Sequence, residues 1–117
     1  MIAAASLSFK DPAMNPDASA FTLIAELQAQ PGLGDTLQRE LQALIAPTLS
    51  EPGCQGYTLH RSSDDTDLLL IYEHWRSRAA LEAHMAMPYL RDFFARTPQL
   101  LSEPVRLRYF ASALPAA

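Results

Sequence analysis

Three imidazoles and one indole are the side chains of this sequence best suited to chemistry. The histidines are His60, His74 and His84, and Trp75 is the only tryptophan among 117 residues. His84 lies on an otherwise apolar face of a predicted helix, where burial could tune it to accept or donate a proton. Trp75 ends an apolar stretch and could form one wall of an aromatic pocket, because its indole offers a large apolar face and one N–H. Plain core packing is the competing interpretation of both.

Glu73 has the same strand parity as Trp75. If this parity faces inward, the buried carboxylate must be paired, and arginine is the expected partner. His60 and His74 on paired strands could bind a metal ion, but spacing supplies no third ligand, so no metal site is expected. Cys54 has no base placed beside it and is interpreted as a small buried hydrophobe. The following aromatic residues suit either a core or a planar aromatic ligand: Tyr57, Tyr72, Tyr89, Tyr109, Phe93 and Phe94.

The composition excludes several classes of protein. A chain of 117 residues with 49% apolar residues forms one domain with a modest core. The single cysteine excludes an intrachain disulfide framework and a Cys-based metal site. The net charge of -4 argues against a nucleic-acid partner. No apolar run approaches the roughly 18 residues of a membrane helix, and no phosphate-binding or nucleotide-binding glycine motif is present.

The chain is predicted to comprise one domain between two tails. Residues 1–19 contain Pro12, Asn15 and Pro16 and are expected to form a flexible N-terminal tail or arm. Their short apolar stretch has no basic residue before it, which is unlike a secretory signal, so we expect a cytoplasmic protein. The domain is expected to span residues 20–112, with residues 113–117 as a C-terminal tail.

Four strands and three helices are predicted in this domain from hydrophobic periodicity. The strands are expected at residues 21–29, 55–61, 67–75 and 105–110. The first helix has leucines at helical spacing between Leu33 and Leu49, a capping box from Asp35 to Gln38, and an end or kink at Pro47. Ser77 is expected to cap the second helix. Pro88 is expected to open the third, which Pro98 should end.

The element order β-α-β-β-α-(α)-β matches the ferredoxin-like split unit, so the fold class is α+β. Such a fold carries its helices on one face of a four-stranded sheet. The strand at 67–75 is apolar on both parities, so the second face also needs cover. A homodimer that packs sheet face against sheet face is the simplest solution.

Three segments together resemble a known family. The segment from Glu51 to Tyr57 reads E-P-G-C-Q-G-Y and resembles an E-x-G-C-x-G-Y turn. Glu73, Trp75, His84 and Pro88 fall at the spacing of an E-x-W-x(5)-L-x-x-H-x(3)-P motif. The first strand, with the Pro-Gly pair at 31–32, completes the pattern. Over about residues 20–112 the sequence resembles the antibiotic biosynthesis monooxygenase domain, and within it the quinol monooxygenase branch.

The resemblance implies a ferredoxin-like subunit that forms a dimeric α+β barrel, with a pocket between sheet and helices. It also implies oxidation of a quinol or another small polyphenolic aromatic by O2 as co-substrate, with no metal and no other cofactor. The family pattern assigns catalytic roles to His84, as proton acceptor or donor, and to Trp75, as pocket wall and orienter. Further candidates for the substrate pocket are Tyr72, His60, Glu73, Tyr89, Phe93 and Leu81.

Two other branches of the family give alternative functions. One degrades haem with an Asn on the first strand, a Trp and a His. Trp75 and His84 match the last two of these residues, but Ala25 stands near the position of the Asn. Haem degradation is therefore disfavoured, although His84 could still ligate haem iron. Another branch isomerises a phosphorylated autoinducer sugar, and His60, Arg61 and an inward arginine could supply the cations for its phosphate. A haem- or small-ligand-binding protein with little turnover therefore remains the alternative to an enzyme.

Overall fold

Within the part of the chain that the structure describes, one antiparallel sheet carries three helices. The structure is a computed structural model that describes residues 19–113. Its elements are β1 (Phe21–Gln28), α1 (Gly34–Leu49), β2 (Cys54–Arg61), β3 (Leu68–Trp75), α2 (Arg78–Met85), α3 (Pro88–Leu100) and β4 (Arg106–Phe110). The strand order is β2-β3-β1-β4. The ferredoxin-like α+β fold predicted from the element order is therefore confirmed.

The N-terminal tail predicted at residues 1–19 lies outside the described residues except for Ser19, and the C-terminal tail at 113–117 lies outside them except for Ala113. Between these limits, no helix combines the length and the apolar character needed to span a membrane.

The alternation of side chains along β3 divides the sheet into two different faces. Leu69, Ile71, Glu73 and Trp75 are buried beneath the helices. The other parity of β3 lies on the second side of the sheet, where Leu70 is half-buried. No helix of residues 19–113 covers this side, which we call the open face. β1 lies between β3 and β4 in antiparallel register, so it contributes side chains to the centre of both faces.

Helix α1 contributes the leucines that close the core over the sheet. Leu37, Leu41 and Leu44 are buried, as the helical spacing predicts. Leu49 was expected on the same stripe but is 50% exposed. In the last turn of α1 the buried position belongs to Thr48, and Leu49, the final residue of the helix, points away from the core.

The capping box expected at the start of α1 is absent. Asp35 and Gln38 instead accept hydrogen bonds from Nη1 of Arg61, at 2.8 and 3.0 Å. The hydrogen bond and charge of Arg61 lower the pKa of Asp35. The N-cap position belongs to Leu33, whose side chain cannot accept a hydrogen bond.

Asp67, which lies 33 positions after Gly34 in the sequence, caps the start of α1. Its two carboxylate oxygens accept hydrogen bonds from the backbone N–H of Gly32 at 3.0 Å and of Gly34 at 2.9 Å. Gly32 has φ of 84°, a left-handed conformation that favours glycine. The turn before α1 is thereby fixed to the loop that precedes β3.

The second and third helices begin as predicted. The end expected at Pro98 was placed too early, and of the end or kink expected at Pro47 the end does not occur there, because α1 continues to Leu49. Ser77 Oγ accepts from Ala80 N–H at 3.1 Å, and Pro88 occupies the first turn of α3. Pro47 and Pro98 lie inside the last turns of α1 and α3. A proline there removes one helical hydrogen bond, and the chain completes the turn beyond it.

Replacing Asp67 with alanine should lower the free energy of unfolding by about 1–2 kcal/mol, because two N–H groups at the start of α1 lose their acceptor. Asp64 is an exposed neighbour and provides the control, since Asp64→Ala should change stability by less than about 0.5 kcal/mol. Urea unfolding of both variants measures the difference. Equal stability of the two variants would contradict the capping role.

Candidate functional site

A small apolar cavity of about 40 Å³ lies between the helix-covered face of the sheet and the helices. This is where the family resemblance implies a pocket. Its lining residues are Leu23, Ala25, Leu27, Leu41, Leu44, Tyr57, Ile71, Glu73, His84, Met85, Leu90, Phe93, Phe94 and Leu107. Glu73 and His84 contribute a carboxyl group and an imidazole to a lining that is otherwise aliphatic or aromatic. Within residues 19–113, no cluster of three His, Cys, Asp or Glu side chains could hold a metal ion.

His84 is held in one orientation by a buried carboxylate. Its side chain is 3% exposed, and Nδ1 lies 2.8 Å from Oε2 of Glu51, whose side chain is 10% exposed. The hydroxyl of Tyr89 donates to the same carboxylate oxygen. A carboxylate oxygen only accepts, so Nδ1 carries the hydrogen, and in the neutral imidazole Nε2 then has the lone pair. An imidazole in this tautomer can take a proton through Nε2 from a molecule in the cavity.

Trp75 packs behind His84 and does not line the cavity. Its indole is fully buried, and its ring centroid lies 4.6 Å from that of His84 at an interplanar angle of 38°. Leu23 and Leu81 complete a small cluster around the indole. The structure therefore places Trp75 in contact with His84 and outside the cavity lining, whereas the sequence interpretation made it a pocket wall and orienter.

Glu73 is a buried acid without a cationic partner. It is 4% exposed, and its Oε1 accepts a hydrogen bond of 2.8 Å from Nε1 of Trp75. The expectation of an arginine partner was wrong, because no ion pair involves Glu73 in the described part of the chain. Burial raises the pKa of Glu73 to about 7, the Trp75 bond opposes this shift, and the negative charge of Glu51 adds to it.

Tyr72 and His60, both predicted pocket residues, lie on the open face. Tyr72 is 40% exposed and its ring centroid is 4.8 Å from that of His74. Nε2 of His60 lies 3.0 Å from the hydroxyl of Thr58. The sheet therefore separates both side chains from His84. Their parity on β2 and β3 is opposite to that of Tyr57 and Glu73, which face the cavity.

The remaining three predicted pocket residues have different roles. Phe93 is 1% exposed and lines the cavity. Tyr89 reaches the site through Glu51, and its pKa is raised to about 12 by burial and by the bond to Glu51, which keeps the phenol protonated as a donor. Leu81 packs on Trp75 and lies outside the lining.

Glu51 is the functional residue that sequence reasoning missed as a site residue. It follows α1 and stands 33 positions before His84 in the sequence. Two signals pointed to it: it opens the E-x-G-C-x-G-Y segment, and a buried imidazole needs a hydrogen-bonding partner.

Comparison with known proteins places these residues in a family context. The sequence profile described as "Antibiotic biosynthesis monooxygenase" matches residues 20–96. A Mycobacterium tuberculosis protein named a putative monooxygenase is 36% identical over 93 residues, which is 80% of this chain and 91% of the relative. The Escherichia coli protein named "Probable quinol monooxygenase YgiN" is 33% identical over 87 residues, with 62% of this chain and 79% of the relative covered.

A Synechocystis protein named as uncharacterised is 36% identical over 72 residues, and the matched segment spans only 49% of its length. Among solved structures, a Pseudomonas aeruginosa protein superposes with a TM-score of 0.76 at 36% identity. The Mycobacterium tuberculosis structure gives 0.77 at 33% identity. Each superposition covers 85% of this chain and 100% of the other.

The buried acid should leave a signature in the pH dependence of stability. Folding raises the pKa of Glu73 from 4.5 to about 7, so the native state holds an extra proton between these values. The free energy of unfolding should therefore fall as pH rises through this window, by on the order of 3 kcal/mol. Glu73→Gln removes this titration, so the variant should gain stability relative to wild type between pH 5 and pH 8. Urea unfolding at both pH values measures the change.

Glu82 is exposed on α2, so Glu82→Gln is the matched control and should follow wild type at both pH values. A constant stability difference between Glu73→Gln and wild type would contradict the raised pKa.

Proposed function

The chain belongs to the antibiotic biosynthesis monooxygenase family, as its motifs predict, and from this premise we propose that it oxidises a quinol or another polyphenolic aromatic with O2 and without a bound cofactor. The monooxygenase names of its relatives support a monooxygenase-like function. The observation that carries the finer proposal is the His84–Glu51 pair: the imidazole lines the apolar cavity, and the contact of its Nδ1 with Glu51 leaves Nε2 as the nitrogen available to accept a proton.

The chemistry asks little of the protein beyond binding, deprotonation and exclusion of water. An electron-rich phenolate can pass an electron to O2 directly, so the protein must chiefly form the phenolate in a dry site. Nε2 of His84 takes the hydroxyl proton, and Glu51 stabilises the imidazolium that results. A quinol and O2 then give a quinone and hydrogen peroxide, with two electrons and two protons transferred.

The charges around the cavity favour a neutral aromatic substrate. The lining includes no Lys or Arg, and the ionisable acids Glu73 and Glu51 lie at or beside it. A phosphorylated sugar would meet these acids without a compensating cation, so the lining does not favour the isomerase alternative. Ala25, which stands near the Asn position of the haem-degrading branch, lines the cavity and offers no polar group.

The outer end of the cavity is the proposed entry for the aromatic ring. Met85 and Leu107 line the cavity yet are 38% and 37% exposed, and Phe94 is half-buried beside them. Met85 is flexible and Leu107 lies on the edge strand β4, so both can move aside for a bicyclic quinol.

The proposed assembly is a homodimer. The open face carries apolar side chains on several strands, including Ile24, Leu70, Tyr72 and Phe110, of which Tyr72 is 40% and Phe110 is 45% exposed. A second copy packed on this face would bury them. The cytoplasmic location stays a prediction.

Aerobic incubation with menadiol-like quinols tests the proposed reaction. The protein should raise O2 uptake above the enzyme-free rate. His84→Ala should lower kcat/KM about 10²–10⁴-fold, since a positioned base is lost. His74→Ala is the matched control and should retain the rate, because His74 bonds to Thr22 on the open face. An oxygen electrode measures all three proteins.

No excess O2 uptake across a panel of quinols would contradict the reaction itself. A hemin titration then examines the alternative: a Soret shift that is lost in His84→Ala would assign His84 to haem binding.

A charge placed on the open face should dissociate the dimer. Sedimentation equilibrium should give wild type the mass of two chains and Phe110→Asp the mass of one, because a buried unpaired carboxylate opposes association. Leu49 is 50% exposed at the end of α1, away from the open face, so Leu49→Asp should remain dimeric. A single-chain mass for wild type would contradict the assembly.

A further inference from the structure

The closed cavity is too small for the aromatic substrate proposed above. Its volume of about 40 Å³ compares with the roughly 150 Å³ of an apolar cavity that binds benzene. A quinol ring can therefore occupy its outer end only after Met85 and Leu107 move. The cavity as it stands, with the buried Ile71, Glu73 and His84 in its lining, offers room for a molecule much smaller than benzene.

We propose that this cavity holds dioxygen behind the aromatic ring, and that Glu73 is the catalytic acid that protonates the dioxygen once it is reduced. This inference rests on the proposed function, because it assumes that O2 is the oxidant. It adds a binding site for the second substrate and a second catalytic residue.

The lining favours an apolar gas. Aliphatic and aromatic side chains form most of the wall, including Ala25, Leu27 and Ile71, and apolar cavities of this kind bind small apolar guests such as xenon. Glu73 and His84 line the same cavity, so dioxygen that is reduced there would lie beside both polar side chains.

Glu73 is suited to donate a proton there. Nε1 of Trp75 donates a hydrogen bond to Oε1, no cation within residues 19–113 forms an ion pair with the carboxyl group, and Glu73 lines the cavity. The raised pKa of about 7 leaves a large part of Glu73 protonated near neutral pH. His84 differs from Glu73 in having a carboxylate partner, because its Nδ1 lies 2.8 Å from Oε2 of Glu51. The cavity thus combines a proposed base and a proposed acid that have different hydrogen-bond partners.

The proton balance requires two carriers. His84 takes the proton of one quinol hydroxyl, and the quinolate gives one electron to O2. Glu73 protonates the superoxide that results. The semiquinone then gives the second electron to the hydroperoxyl radical, His84 returns its proton to complete hydrogen peroxide, and the second quinol hydroxyl reprotonates Glu73. Quinol and O2 become quinone and hydrogen peroxide, and both side chains are restored.

Steady-state kinetics at varied O2 and pH test the role of Glu73. Glu73→Gln keeps the shape of the side chain but has no proton to give, so kcat should fall about 10–100-fold. Anaerobic quinol binding should be unchanged. The wild-type rate should also fall as pH rises through about 7, and this alkaline limb should vanish in the variant. The exposed Glu82→Gln should behave as wild type.

A second variant tests the cavity. Ala25→Val adds two methyl groups to the wall and should raise KM for O2 several-fold without changing quinol affinity. Ala83→Val, exposed on α2, is its control. Xenon should occupy the wild-type cavity, detected in crystals under xenon pressure, and should be displaced in Ala25→Val.

The possible failures are distinguishable. If wild type does not accelerate quinol oxidation, the proposed function fails. If it does, but Glu73→Gln retains kcat and the alkaline limb, or Ala25→Val leaves KM for O2 unchanged, only the present inference is overturned. Absence of xenon from the wild-type cavity overturns the dioxygen pocket regardless of activity.

Discussion

Two carboxyl groups buried beside an apolar cavity impose the main constraint on this structure. Glu51 is satisfied by His84 and Tyr89, and Glu73 by the indole of Trp75 alone. A buried carboxyl group is costly unless it is hydrogen-bonded or neutral. The segment after α1, strand β3 and helices α2 and α3 must therefore meet at one place, and the ferredoxin-like topology brings them there.

The two acids differ in their hydrogen-bond partners, and this difference underlies the proposed chemistry. An imidazole beside Glu51 can become charged without losing its partner, so His84 is suited to act as a base. Glu73 has only a neutral donor and an apolar cavity around it, so its neutral form is favoured. The same wall can thus remove a proton from a phenol and return one to reduced dioxygen.

Much of the fold could be predicted from the sequence because local patterns determine it. The leucine spacing of α1 indicated which of its side chains face the core, whereas β3 is apolar on both parities and its pattern did not indicate its core face. Long-range hydrogen bonds could not be predicted in the same way. Asp67 caps α1 from the loop before β3, far away in the sequence. An arginine was expected to pair with Glu73 because buried carboxylates are usually paired with a cation, but the structure supplies the N–H of Trp75 instead. Tyr72 was expected in the pocket together with Trp75, although the two side chains have opposite parity on β3 and lie on different faces of the sheet.

The central claim is that a quinol reacts with O2 while it is bound beside His84. A single-turnover experiment tests it most directly: the anaerobic complex of the protein with a menadiol-like quinol is mixed rapidly with O2-containing buffer, and quinone absorbance is followed. The account predicts that quinone forms from bound quinol faster than from free quinol, at a rate that rises with O2 concentration. Quinone formation at the rate of the free quinol would contradict it.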